Sequence, residues 1–218
     1  MTDPVRDVYA IRFSDADARA KVAVWKPIVE CLQRFIDPGQ PVLDIACDRG
    51  YFINHVRAGE RWATDVRDTG ASLSPSIRFV RSNGLDLEAH LPAAHFGTVF
   101  MSNYLEHLAT PDEVVTQLRV VERLLRPGGR VIVLQPNIRL VGPRYWDFID
   151  HRVALTDRSL AEAAELAGLQ TVKVIQRFLP YATGGRLPSS PTLTRLYLAF
   201  PPAWRILGKQ TLYIGERP

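Results

Sequence analysis

The chain has 218 residues, 46% of them hydrophobic, and carries a formal net charge of +4 at neutral pH. That length fits one large domain with a full core, and no apolar run reaches the length of a membrane span. Two cysteines, Cys31 and Cys47, exclude a disulfide framework, and Met1-Thr2-Asp3-Pro4 has no signal-peptide shape, so a reduced, cytoplasmic protein is expected, whose charge permits an anionic partner without requiring one.

In chain order, Asp15–Ala20 starts a helix with Ser14 as its N-cap, and Val22, Val24, Trp25, Ile28, Val29, Leu32 and Phe35 continue at helical spacing to residue 35. Asp37-Pro38-Gly39-Gln40-Pro41 ends this N-terminal helical segment, residues 1–38. Val42-Leu43-Asp44-Ile45 is a short apolar run of the kind that forms a buried parallel strand. It breaks into the small-residue turn Ala46-Cys47-Asp48-Arg49-Gly50, and a helical pattern follows over Tyr51–Val56. Strand, tight turn and helix N-terminus together suit a nucleotide-like ligand, because backbone can approach it closely there.

Asp44-x-Ala46-x-Asp48-x-Gly50 resembles the Asp-x-Gly-x-Gly-x-Gly signature of the class I S-adenosylmethionine (SAM) dependent methyltransferases. Ala46 and Asp48 stand where that family has glycines. Asp visits the left-handed region more readily than most residues, so the turn can persist.

The second strand, Arg61–Thr64, ends at Asp65, 21 positions after Asp44, where a carboxylate can accept from both hydroxyls of a bound ribose. The third strand, Ile77–Val80, leads to Asn83-Gly84-Leu85, which reads as a simple turn or, as the resemblance implies, as an adenine contact through the Asn83 carbonyl. The fourth, Phe96–Met101, runs into Ser102-Asn103-Tyr104-Leu105-Glu106-His107-Leu108, similar to the "LEHL" block of the family's small-molecule, type 11-like subgroup. An amphipathic helix follows from Pro111 to Leu125, then the stop Arg126–Arg130 and a fifth strand, Val131–Leu134. Thr156–Ser159 caps a helix over 160–167, a sixth strand spans 170–175, and the last spans 210–215.

The resemblance implies an α/β fold: a doubly wound, seven-stranded, mostly parallel sheet with its last strand antiparallel, the Rossmann-like methyltransferase fold, as a single domain over residues 1–218. It implies SAM as cofactor. It places Asp44, Ala46, Cys47, Asp48, Gly50, Phe52, Asp65, Val66, Asn83, Gly84, Leu85, Asn103, Tyr104 and His107 around it.

Methyl transfer to a hydroxyl benefits from a general base, and His107 and His151 are the candidates. No Cys-x-x-Cys or His-x-x-x-His spacing is present, and no metal is expected. Residues 177–209 form a basic insertion between the last two strands. From Leu166 to Gly215 there is no Asp or Glu, while aromatic and aliphatic residues interleave with Arg and Lys. It reads as a cap over the acceptor, as a basic amphipathic face for an anionic lipid surface, or as a packed excursion. In the cap reading, Phe178, Tyr181 and Arg186 join Tyr104, Tyr145 and Trp146 around an acceptor that is part apolar and part anionic, small or lipid- or glycan-linked. Peripheral contact with the inner face of a membrane is compatible with this; a nucleic-acid partner is not expected, for want of a binding motif. Two other functions fit parts of the pattern. One is a non-catalytic SAM-binding module, favoured by Asp48. The other is a nicotinamide-dependent oxidoreductase, disfavoured by the lack of Gly-x-Gly-x-x-Gly.

Overall fold

The computed structural model describes residues 15–181 and 190–218, with side chains from residue 21 onward. The expected N-cap Ser14 and the expected substrate residue Arg186 lie outside the described residues. Seven strands form one sheet: β1 (Val42–Ile45), β2 (Arg61–Asp65), β3 (Ile77–Arg81), β4 (Phe96–Ser102), β5 (Leu125–Pro136), β6 (Gln170–Leu179) and β7 (Gln210–Glu216). Their order is β3-β2-β1-β4-β5-β7-β6. The pairs among β1–β5 are parallel, and β7 is antiparallel to both β5 and β6. The expected sheet, with its antiparallel last strand, is therefore present.

All four residues of β1 are buried, as a central strand covered on both faces requires. Alternation divides its side chains. Leu43 and Ile45 join a core with Val99, Met101, Leu118 and Leu160, under α2 (Pro111–Leu124) and α4 (Asp157–Leu166). Val42 faces a second core with Ile28, Leu32, Phe52, Phe100 and Trp204, under α1 (Asp15–Leu32), α5 (Pro191–Ala199) and α6 (Pro201–Leu207). A one-turn helix, α3 (Ile138–Val141), follows β5.

Side-chain caps start both helices of the first core, and the one at Thr156 was expected from the sequence. Thr110 accepts from the Glu113 N–H ahead of α2, with Pro111 in the first turn. Thr156 and Ser159 exchange bonds as a capping box ahead of α4.

The helix expected after β1 is missing. Tyr51–Val56 forms only consecutive turns, with Asn54 N–H donating to Gly50 O and Val56 N–H to Phe52 O, both near 3 Å. The chain must return to the base of the sheet, where Gly59 N–H meets Gln40 O, and these few residues leave no length for a longer helix. The crossovers into β3 and β4 likewise hold only short 3-10 segments, Gly70–Ser72 and Gly84–Ala89. β5 starts earlier than expected: Leu125 already pairs with Phe96, and the Arg126–Arg130 stop is absorbed as a register shift before Thr98 meets Arg130.

Helices α5 and α6 are packed against the sheet. Tyr197 donates to Phe178 O at 2.9 Å, Trp204 Nε1 donates to Tyr197 O at 2.8 Å, and Arg195 pairs with Glu30 of α1 at 3.3 Å. Their outer side keeps Leu193, Leu196, Phe200, Ile206 and Leu207 exposed.

Candidate functional site

Three parallel strands deliver chemistry to one edge of the sheet, the carboxyl ends of β1, β2 and β4, where open α/β sheets bind ligands. At the end of β1 the backbone is left-handed at alternate residues: Ala46 (φ +57°), Asp48 (φ +50°) and Gly50 (φ +73°). These are the three glycine positions of the motif, so the turn keeps the shape while two side chains bear its strain, of order 1 kcal/mol or more each. At Gly50 a Cβ would lie 2.4 Å from Leu73 Cδ2 and 2.7 Å from Asn54 Nδ2. That glycine serves packing: Asn54 bridges to the next crossover, donating to Ser72 O and accepting from Ser74 N–H.

Asp44, Asp48 and Asp65 converge on this turn. Burial pushes the Asp44 carboxyl well above the usual range; the Ile53 backbone amide opposes that shift, and the two neighbouring carboxylates add to it. Burial, with Asp44 close by, raises the Cys47 thiol too, which makes it an unreactive packing residue. Arg67, unremarked in the sequence, is the cation among these acids. Its Nη2 lies 3.1 Å from Asp48 Oδ1 and 3.0 Å from Asp65 Oδ2, and its Nε and backbone N–H both donate to Asp65 Oδ1. The Asp48 N–H donates to Asp65 Oδ2 at 3.0 Å. Asp65 is thus fixed by the first turn and by a bidentate guanidinium at once.

Other expected cofactor residues divide. Val66 stands exposed beside Asp65. Asn83 accepts from Leu85 N–H at 3.2 Å, capping the 3-10 segment, so its carbonyl already has the role of a turn residue. Gly84 has no room for a Cβ, which would sit 2.2 Å from the Tyr104 hydroxyl. That hydroxyl donates to Gln117 Oε1 at 2.8 Å and so is directed at α2. Asn103 is exposed and left-handed (φ +48°). Phe52 requires a correction: it is buried and stacked on Phe100, ring centroids 3.8 Å apart, a core residue whose apolar ring follows β1 into the sheet.

The residues fit a bound SAM. The turn at 46–50 keeps the left-handed shape of the motif, Asp65 stands at the neighbouring strand end, and Val66 offers an apolar surface beside it. For Asp65 to receive ribose hydroxyls, Arg67 must release part of its grip, which its partly exposed side chain permits.

At the end of β4 a second cluster forms. Glu106 and His107 sit in a one-turn 3-10 segment, Leu105–His107. The Glu106 carbonyl accepts from Arg152 N–H (2.8 Å) and Val153 N–H (3.1 Å), which ties down the loop carrying His151. The two histidine rings are 5.1 Å apart. Nδ1 of His107 donates to Asp150 O at 3.0 Å and lies 3.4 Å from the Asp150 carboxylate. Nδ1 of His151 donates to Tyr145 O at 2.7 Å. Because a carbonyl only accepts, each ring in its neutral form carries the proton on Nδ1 and the lone pair on Nε2.

The Glu106 side chain is 1% exposed and neither oxygen is hydrogen-bonded. Burial raises its carboxyl; His107 opposes the shift, and so does Gln135, close by but out of hydrogen-bonding geometry. One ligand atom each from Glu106, His107 and His151 lies within 4.8 Å of the others. The sequence offers no spacing signal for this trio, since 44 positions separate His107 from His151.

Among the expected substrate residues, Tyr181 packs edge-on against Phe148, and Phe148 lies 5.2 Å from the His151 ring, so an aromatic wall leads from β6 to the histidines. Trp146 is 54% exposed. Two expectations are corrected. Tyr145 is wholly buried with its hydroxyl on Val153 O, serving the loop rather than an acceptor. Phe178 is wholly buried edge-on to Trp204, because the last turn of β6 is drawn into the core beneath α6.

A family described as a methyltransferase domain matches residues 16–174. The chain belongs to this methyltransferase-domain family, whose cofactor is SAM, and its sheet is the family's Rossmann-like fold. No functionally curated protein matches the sequence. Among solved structures it is similar to a chain from a Haloferax volcanii complex of the Trm112 methyltransferase activator with a methyltransferase (18% identity, TM-score 0.67, covering 93% of this chain and 95% of that one). It is similar to a SAM-dependent methyltransferase from Archaeoglobus fulgidus (19%, TM-score 0.62, 87% and 93%). It is also similar to the N-methyltransferase NodS of Bradyrhizobium japonicum in complex with S-adenosyl-L-homocysteine (14%, TM-score 0.61, 88% and 85%).

Proposed function

We propose that this chain transfers a methyl group to a hydroxyl of an acceptor that is part apolar and part anionic, a lipid- or glycan-linked molecule. The observation that carries this is the histidine pair: two imidazoles oriented by backbone carbonyls, with their lone pairs on Nε2, at the strand end next to the cofactor turn. When bound, SAM supplies an electrophilic methyl on a sulfonium. The protein supplies alignment and activation of the acceptor. Asp44 and the 46–50 backbone hold the cofactor's amino-acid end, and Asp65, once it shares its lone pairs with Arg67, holds the ribose. His107 and His151 draw on the acceptor hydroxyl hydrogen. The Phe148–Tyr181 wall supports an apolar portion of the acceptor.

An anionic membrane surface is the source of acceptor that the outer helices favour. Leu196, Phe200 and Ile206 are exposed with Arg205 among them, in a stretch of the chain that has no Asp or Glu. Among the described residues no helix is long and apolar enough to cross a membrane, so the contact is peripheral.

The test is methyl transfer from labelled SAM to lipid and glycan extracts. His107→Ala and His151→Ala should each lose turnover by about 100-fold or more while binding SAM normally. Turnover that survives both changes overturns the assignment.

A further inference from the structure

A carboxylate that is 1% exposed and accepts no hydrogen bond requires compensation. Either it is protonated, or a cation stands beside it. Arg152 and Val153 satisfy the Glu106 carbonyl through their backbone N–H groups, not the carboxylate. Among the described residues two histidines stand beside the carboxylate: His107 Nε2 is 4.0 Å from Glu106 Oε1, and His151 completes a trio whose ligand atoms lie within 4.8 Å.

The orientation of both rings matters more than their proximity. Ligating histidines characteristically donate the other ring N–H to a carbonyl or carboxylate, which fixes the ring and strengthens the ligand. His107 has both partners, the Asp150 carbonyl at 3.0 Å and its carboxylate at 3.4 Å, and the Asp150 side chain is itself buried. His151 has the Tyr145 carbonyl at 2.7 Å, and Tyr145 is locked in turn by its hydroxyl on Val153 O. These contacts hold both Nδ1 atoms as donors and make Nε2 the ring nitrogen that carries the lone pair.

From this we propose that Glu106, His107 and His151 form a three-point site for a divalent transition metal of the zinc class, with its open positions at the acceptor side of the cleft. Two imidazoles and one carboxylate are a donor set for such ions, and three protein ligands leave room for a substrate oxygen. Metal–ligand bonds of about 2.1 Å at tetrahedral angles put ligand atoms about 3.4 Å apart. The three ligand atoms lie within 4.8 Å of one another, so side-chain rotations of somewhat more than an ångström bring them onto an ion. Gln135, buried with its amide unbonded next to Glu106, is placed to donate to the carboxylate oxygen that does not ligate. The inference rests on the reading that the acceptor oxygen arrives at this cluster, and it changes the histidines' part there: in place of accepting the proton, their Nε2 lone pairs would hold an ion that binds that oxygen and makes its proton acidic enough to leave to solvent.

The experiment is titration of the chelator-treated full chain with Co2+, followed by visible absorption. Bands should grow to a one-to-one endpoint and be lost in Glu106→Gln and in His151→Gln, while SAM binding by calorimetry stays unchanged in both. On the native chain alone, Zn2+ should protect His107 and His151 from diethyl pyrocarbonate, mapped by mass spectrometry, so the test survives a variant that fails to fold. No one-to-one binding, full bands in both variants, or modification of both histidines despite Zn2+ would overturn the site. If Co2+ does not bind yet the histidine variants lose turnover, the metal fails and the hydroxyl-methylation reading stands. If Co2+ binds and no hydroxyl acceptor is methylated, the reverse holds.

Discussion

Ala46 and Asp48 bear a conformation that their side chains disfavour, and the consequence is measurable. Ala46→Gly should raise stability by up to about 1 kcal/mol, or about 2–4 °C in Tm, by relieving the left-handed strain. Asp48→Gly removes the same strain along with a partly exposed ion pair to Arg67 of small value, and should bind SAM at least as tightly as the native chain. Abolished binding in calorimetry would mean that the Asp48 carboxylate is itself a ligand. Gly50→Ala should cost about 1–3 kcal/mol in chemical denaturation, because the added Cβ meets Leu73 and Asn54 in a backbone that stays left-handed. The positions of the turn residues were legible in the sequence because a strand-end motif is contiguous. Arg67 and the Glu106–His107–His151 trio were not, since the sequence marks neither which arginine folds back on Asp65 nor which loop brings His151 to β4.

Among the elements, long periodic segments were read well and short ones less so. The amphipathic pattern of α2 and the Thr156–Ser159 cap of α4 carry their own boundaries, and both formed as expected. Tyr51–Val56 has helical spacing, yet the return to the base of the sheet cuts it to turns, a tertiary constraint that local pattern does not encode. Aromatic residues at strand ends misled for a related reason. Phe52 in the turns after β1, Tyr145 in the 3-10 segment Gly142–Asp147 and Phe178 in β6 follow the cleft-forming strands in sequence, but each side chain is packed inside. Helices α5 and α6 have a packed inner side, as the packed-excursion reading expects, and an outer side with exposed apolar residues that the membrane proposal uses. The triple change Leu196→Ser, Phe200→Ser and Ile206→Ser should abolish co-sedimentation with anionic vesicles and leave Tm within a degree or two, since all three side chains are exposed. Unchanged sedimentation would leave that outer side without a membrane role.

At the scale of the molecule, two buried acids set an unusual pH response. Glu106 and Asp44 have carboxyl pKa values raised mainly by burial, so the folded chain holds their protons to higher pH than the unfolded chain does. Stability of the metal-free protein should therefore fall as pH rises from the ordinary carboxylate range towards neutrality, against the trend of a salt-bridged acid. Glu106→Gln should flatten part of that fall, and a Glu106→Gln denaturation midpoint that follows pH as the native one does would exclude Glu106 as a source. The same sheet edge gathers the cofactor turn, Asp65 and the histidine cluster within one fold, and the account depends on that edge binding SAM. Isothermal titration of SAM into the native chain and into Asp65→Ala tests this most directly. The account predicts saturable one-to-one binding by the native chain and a loss of about 1–3 kcal/mol, roughly 5- to 150-fold in affinity, in the variant. Equal affinity in the two proteins, or no binding by the native chain, would contradict it.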